Sequence, residues 1–130
     1  MQATTPTATV RRYPQHPTPG QLSSSVSGAG NILVTTQVPI GTDGEVVPGG
    51  IEQQSRQVLQ NLQTELAAAG SDLQRVLHLT IYLVSMDDRP AFNAAYSRFF
   101  SPPFPVRAAV GVRELARPDM LIEVTAIAAA

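Results

Sequence analysis

The chain has 130 residues, 43% of them hydrophobic and 15% charged, with a formal net charge of −1 and no cysteine. That length suits one domain able to bury a core unaided, and the missing thiols exclude disulfides, thiolate nucleophiles and sulfur-rich metal sites. The near-neutral balance supplies no broad positive field for a phosphate backbone, so no nucleic-acid partner is expected.

Residues 1–20 are rich in Thr, Pro and Gln and carry Pro6, Pro14, Pro17 and Pro19. With little to bury they read as a flexible tail, which Tyr13 or His16 can pin to the body. Residues 1–12 lack the basic start, apolar middle and cleavage site of a secretory signal, and no segment has the apolar length of a membrane span. A cytoplasmic protein with no membrane partner is expected.

Residues 21–130 read as a single domain. Residues 22–26 and 32–38 are predicted strands, separated by Gly28, Ala29, Gly30 and Asn31, a turn able to take positive φ. Residues 39–50 form a loop broken by Gly41, Gly44, Pro48, Gly49 and Gly50, without the G-x-x-x-x-G-K-[ST] pattern of a phosphate loop. A helix is predicted over 51–69, where Ile51, Ser55, Val58, Leu59, Leu62, Leu66 and Ala69 recur at helical spacing and Gly70 suits the left-handed cap.

The strand predicted over 76–84 puts Leu77, Leu79, Ile81 and Leu83 on one face and Val76, His78, Thr80 and Tyr82 on the other. Both faces are apolar enough to ask for cover, which self-association would provide. His78 reads as a packed or interface histidine. A second helix starts near Asp87 and Asp88 with Pro90 in its first turn, and packs Phe92, Ala95, Tyr96 and Phe99. Pro102, Pro103 and Pro105 end it ahead of predicted strands 106–112 and 121–128. The order ββαβαββ predicts an α+β two-layer sandwich with both helices on one face of a mixed sheet.

Arg107 stands in the strand 106–112, where Val106, Ala108, Val110 and Val112 make an apolar face and Arg107, Ala109 and Gly111 point the other way. Glu123 lies in the apolar run 120–127, where a carboxylate is costly unless paired. The two residues read either as each other's salt-bridge partner or as a site: a guanidinium fork for a carboxylate ligand and a carboxylate that handles a water.

Several segments together carry a family resemblance: residues 31–39 (NILVTTQVP), 53–62 (QQSRQVLQNL), 92–96 (FNAAY), Phe99 with Phe100, 105–107 (PVR) and 122–127 (IEVTAI). Over residues 22–128 the chain resembles the Rid, or YjgF-like, family of reactive-intermediate deaminases. The resemblance implies a chorismate-mutase-like fold assembled as a homotrimer, with small-molecule sites between subunits and no metal or organic cofactor. It implies hydrolytic deamination of enamine or imine acids, with Arg107 gripping the carboxylate and Glu123 helping a water add to the imine carbon. Leu22, Thr36, Asn93, Ala108 and Ala109 are then expected to line the substrate cleft. The chain departs from the family at Leu22, which replaces a tyrosine, at Thr36, which replaces a glycine, and at Ala109, which replaces a cysteine or threonine. These changes imply an altered substrate, or a trimer that binds a carboxylate metabolite, or other chemistry in the same cleft.

Overall fold

A computed structural model describes residues 9–15 and 19–130. Its eight main elements are strands β1 (Val10–Tyr13), β2 (Val26–Ala29) and β3 (Ile32–Gln37), helix α1 (Ile51–Ala68), strand β4 (Val76–Leu83), helix α2 (Arg89–Phe99), and strands β5 (Val106–Gly111) and β6 (Ile122–Ala129). The strands form one mixed sheet in the order β1-β2-β3-β6-β4-β5. Only β4 and β5 run parallel, and α2 connects them.

Helix α1 follows its sequence pattern closely. Val58, Leu59, Leu62 and Leu66 are fully buried, while Glu52, Arg56, Gln60 and Gln63 stay wet. The helix stops at Gly70, which takes φ +85°. The Ser71 amide then donates to Leu66 O at 2.8 Å and the Gly70 amide to Ala67 O at 3.0 Å, the paired bonds of a Schellman motif. Between the helices and the sheet lie Leu33, Leu79, Ile81, Leu83, Phe92, Ile122 and Val124, all buried. Both helices cover this one face of the sheet, as the sequence predicts, and no helix among the described residues is long and apolar enough to cross a membrane.

Three features depart from the sequence reading, and one, the orientation of β5, goes beyond it. The segment read as a tail contributes β1, which pairs antiparallel with β2 from Val10↔Ala29 to Tyr13↔Val26. Tyr13 packs partly into the core, as a pin would, whereas His16 and residues 1–8 lie outside the described residues. Four edge residues ending at Pro14 have too little alternation to announce a strand.

The strand predicted at 22–26 begins only at Val26. Its hairpin to β3 turns on Gly30, at φ +58°, and Asn31, between the paired residues Ala29 and Ile32. Glycine at the first turn position is what a type II′ hairpin requires.

In β4 a bulge between Val76 and His78 moves Val76 into the core and leaves Leu77 half exposed, the reverse of the strict alternation predicted for these two residues.

In β5 the apolar face is the uncovered one: Val106 is 68% and Val110 40% exposed, while Arg107 turns toward the helices.

Candidate active site

Arg107 is delivered by β5, the last strand of the sheet, paired with Leu79. Paired residues share a face, and Leu79 is buried under the helices, so the guanidinium projects onto the helix side. There α2 receives it. The guanidinium carbon lies 4.5 Å from the Tyr96 ring centroid and 5.5 Å from that of Phe92. Arg107 Nη2 donates to Asn93 Oδ1 in a short hydrogen bond. Aromatic faces and an amide oxygen together hold the charge in one orientation while leaving much of its donor fork unused.

The Tyr96 hydroxyl beneath it is buried and lacks a hydrogen-bond partner of ordinary geometry. Burial raises the phenol's pKa above 10.0, and it outweighs the opposing pull of the Arg107 charge and its loose N–H contact. Tyr96 therefore stays neutral beneath the arginine. Beyond Asn93 the surface opens into a depression of about 420 Å³ lined by Arg89, Asn93, Arg107 and Ala109.

Glu123 is delivered by β6, paired with Tyr82 of β4. Leu79 and Tyr82 are three residues apart on an unbroken stretch of strand, so their partners Arg107 and Glu123 leave opposite faces of the sheet. No ion pair joins the two among the described residues, which removes the salt-bridge reading within one chain.

Glu123 opens instead into a second depression, of about 560 Å³, on the face away from the helices. Ser23, Ser24, Ser25, Thr36 and Thr125 are among its lining residues, hydroxyl side chains sharing the depression with one carboxylate. Thr36 Oγ1 and Thr125 Oγ1 share a hydrogen bond of 2.9 Å, so the branched side chain at position 36 is held against β6.

The residues singled out in the sequence thus fall into two groups. Arg107, Asn93 and Ala109 converge at the β5 edge, and Glu123 converges with Thr36 on the open face. Leu22 lies outside both linings, with its side chain fully exposed next to the serine run. Ala108 faces the open side, paired with Thr80. Arg89, Tyr96 as a support for Arg107, and Ser23–Ser25 were not singled out. The four-residue spacing of Arg89 and Asn93 on one helix was the legible signal for the first of these.

The family model described as Endoribonuclease L-PSP matches residues 14–130. The chain belongs to that family. Its members include the Rid and YjgF-like proteins that the sequence resembles. It is 40% identical over 110 residues to a RutC family protein of Pyrococcus horikoshii, a match covering 84% of this chain and 86% of that one. It is 36% identical over 110 residues to the mouse 2-iminobutanoate/2-iminopropanoate deaminase, covering 84% of this chain and 81% of the mouse protein. Among solved structures, the YjgF gene product of E. coli superposes with a TM-score of 0.77 at 32% identity, covering 86% of this chain and 90% of the other. These likenesses extend across the sheet and both helices, and the fold is the chorismate-mutase-like one.

Proposed function

We propose that this Rid-family protein hydrolyses imine or enamine acids to 2-oxo acids and ammonia, at sites formed between the subunits of a homotrimer. The observation that carries the reading is the opposed placement of Arg107 and Glu123. Each sits in its own polar depression, and the groups on opposite faces of one sheet can act on one ligand only when the second face belongs to another copy. The uncovered side of the sheet offers the means of assembly. Val34, Ile127, Val106 and Val110 are all exposed there, beside His78 and Tyr82. Burying such a face between copies stabilises the assembly by about 25 cal/mol for each Å² of apolar surface removed from water. Leu22 is covered by the same contact and becomes an apolar wall of the cleft.

In the assembled site the free donors of Arg107 take the substrate carboxylate as a bidentate pair, with Asn93 and the Tyr96 and Phe92 rings fixing the fork. The α-imino carbon is already electrophilic. Glu123 of the neighbouring copy accepts a proton from water as its oxygen adds to that carbon and passes it to the imine nitrogen, giving a carbinolamine. In the collapse Glu123 takes the hydroxyl proton and delivers it to the amine, so the carbonyl forms, the C–N bond breaks, ammonia leaves and Glu123 is again ionised. Thr36 and Thr125 stand within the same depression as hydroxyl partners for the water.

The reading is tested by following 2-oxo acid release from imino acids generated in situ by an amino-acid oxidase. Wild type accelerates release and Arg107→Ala does not; equal rates for the two proteins reject the proposal.

A further inference from the structure

The depression that holds Arg107 contains a second guanidinium, that of Arg89. Arg89 opens α2, one helical turn before Asn93, and so stands on the face of the helix that Asn93 uses to orient Arg107. The Arg89 side chain makes no hydrogen bond, ion pair or ring contact to another described residue, although Asp87 and Asp88 directly precede it. Every charged group lining this depression is cationic. Two like charges in one concavity repel, and an anion between them relieves the repulsion and gains from both.

We infer that Arg89 selects substrates carrying a second acidic group, so that the preferred ligand is an imino acid with a carboxylate at the far end of its side chain. This inference rests on the deaminase reading for the identity of the reacting group, but the two-anion recognition is a property of the depression itself. Arg107 takes the α-carboxylate beside the reacting carbon. Arg89, whose backbone lies one turn, about 6 Å, before Asn93 along α2, meets the distal carboxylate. A short-chain dicarboxylate has a comparable span, and the flexible stem of the exposed Arg89 adjusts its guanidinium to the far carboxylate. A monocarboxylic substrate places an apolar end beside Arg89 and gains nothing from it. Arg89 is on this account a specificity-determining residue that leaves the bond-breaking step to other groups.

Calorimetric binding of two stable 2-oxo acids of equal chain length, 2-oxoglutarate and 2-oxopentanoate, to the intact protein isolates the distal carboxylate. Wild type is expected to bind 2-oxoglutarate roughly tenfold more tightly, the worth of one partly exposed charge-assisted bond. Arg89→Ala brings that ratio close to one, and Arg89→Glu inverts it. The glutamate sits at a helix N-terminus, where an acid is favoured, so the fold tolerates it. Arg107→Ala weakens both ligands. A wild-type ratio near one, a ratio unmoved by Arg89→Ala, or no binding of either acid overturns the inference. Turnover is read separately: selective binding without release of 2-oxo acid from imines rejects the deaminase reading and leaves the role of Arg89 standing.

Discussion

Arg107 and Glu123 leave opposite faces of the same sheet, the one beside buried Leu79 and the other beside Tyr82 on the uncovered side. A substrate held by Arg107 is therefore out of reach of the Glu123 of its own chain. The two residues are expected to fail differently. Arg107→Lys keeps the charge but loses the planar fork and its stacking on Tyr96, and is expected to weaken 2-oxo acid binding about tenfold. Glu123→Gln is expected to lower turnover by roughly 10²- to 10⁴-fold while changing 2-oxo acid affinity little, because in the proposed mechanism the group acts on water. Equilibrium binding and single-turnover rates measured on the same preparations separate the two.

The neutral Tyr96 under Arg107 gives the fold an alkaline limit. Its pKa is raised in the folded chain, so the folded state keeps a proton that the unfolded chain releases near pH 10.0. The resulting stability is fully present below that pH and is lost as pH rises through the higher folded value. Tyr96→Phe removes both the ionisation and a buried hydroxyl that lacks a hydrogen bond of ordinary geometry. Melting curves between pH 7 and 11 are expected to fall less steeply above pH 10 for the variant than for wild type.

Gln54 is buried in α1 and reaches the loop before β6 with both ends of its amide. Nε2 donates to Asp119 O at 2.8 Å, and Oε1 accepts from the Leu121 amide at 2.8 Å. Gln54→Ala leaves both backbone groups without these partners and is expected to cost about 2 kcal/mol in denaturant unfolding. It also loosens the approach to β6, the strand that aims Glu123, so turnover is expected to drop alongside stability.

The next residue behaves oppositely. Ser55 is fully buried with no partner for its hydroxyl. Ser55→Ala removes the unsatisfied group and improves helix propensity, and is expected to stabilise the chain by about 1 kcal/mol, seen as a higher melting temperature.

The contrast between Gln54 and Gly70 shows what the sequence makes legible. Gly70, the stripe from Val58 to Leu66 and the acids before α2 are local signals, and each stands where its chemistry predicts. Gln54 binds residues 65 and 67 positions away, and helical periodicity counts it only as one more polar side chain.

Strand β1 and the bulge at Leu77 were illegible for a related reason: edge pairing and a shifted register are settled by neighbouring strands. In β5 the alternation is legible, but which of its faces meets the helices is fixed only by the sheet. The valines point away from them, onto the uncovered side of the sheet. For the site, residue types pointed to Arg107 and Glu123 together, while the sheet's period of two separates them. Arg89 was hidden by ordinariness, since an exposed arginine at a helix start has no pattern until Asn93 and Arg107 are seen beside it.

The most direct test of the account is complementation between two inactive variants. Arg107→Ala and Glu123→Gln protomers, each expected to be inactive alone, are co-expressed in equal amounts and purified together without separating assemblies by composition. If each site takes Arg107 from one copy and Glu123 from the next around a closed ring, about a quarter of the sites in a random mixture regain both residues. The account predicts return of 2-oxo acid release to about that fraction of the wild-type rate. A mixture as inactive as its parents would contradict it.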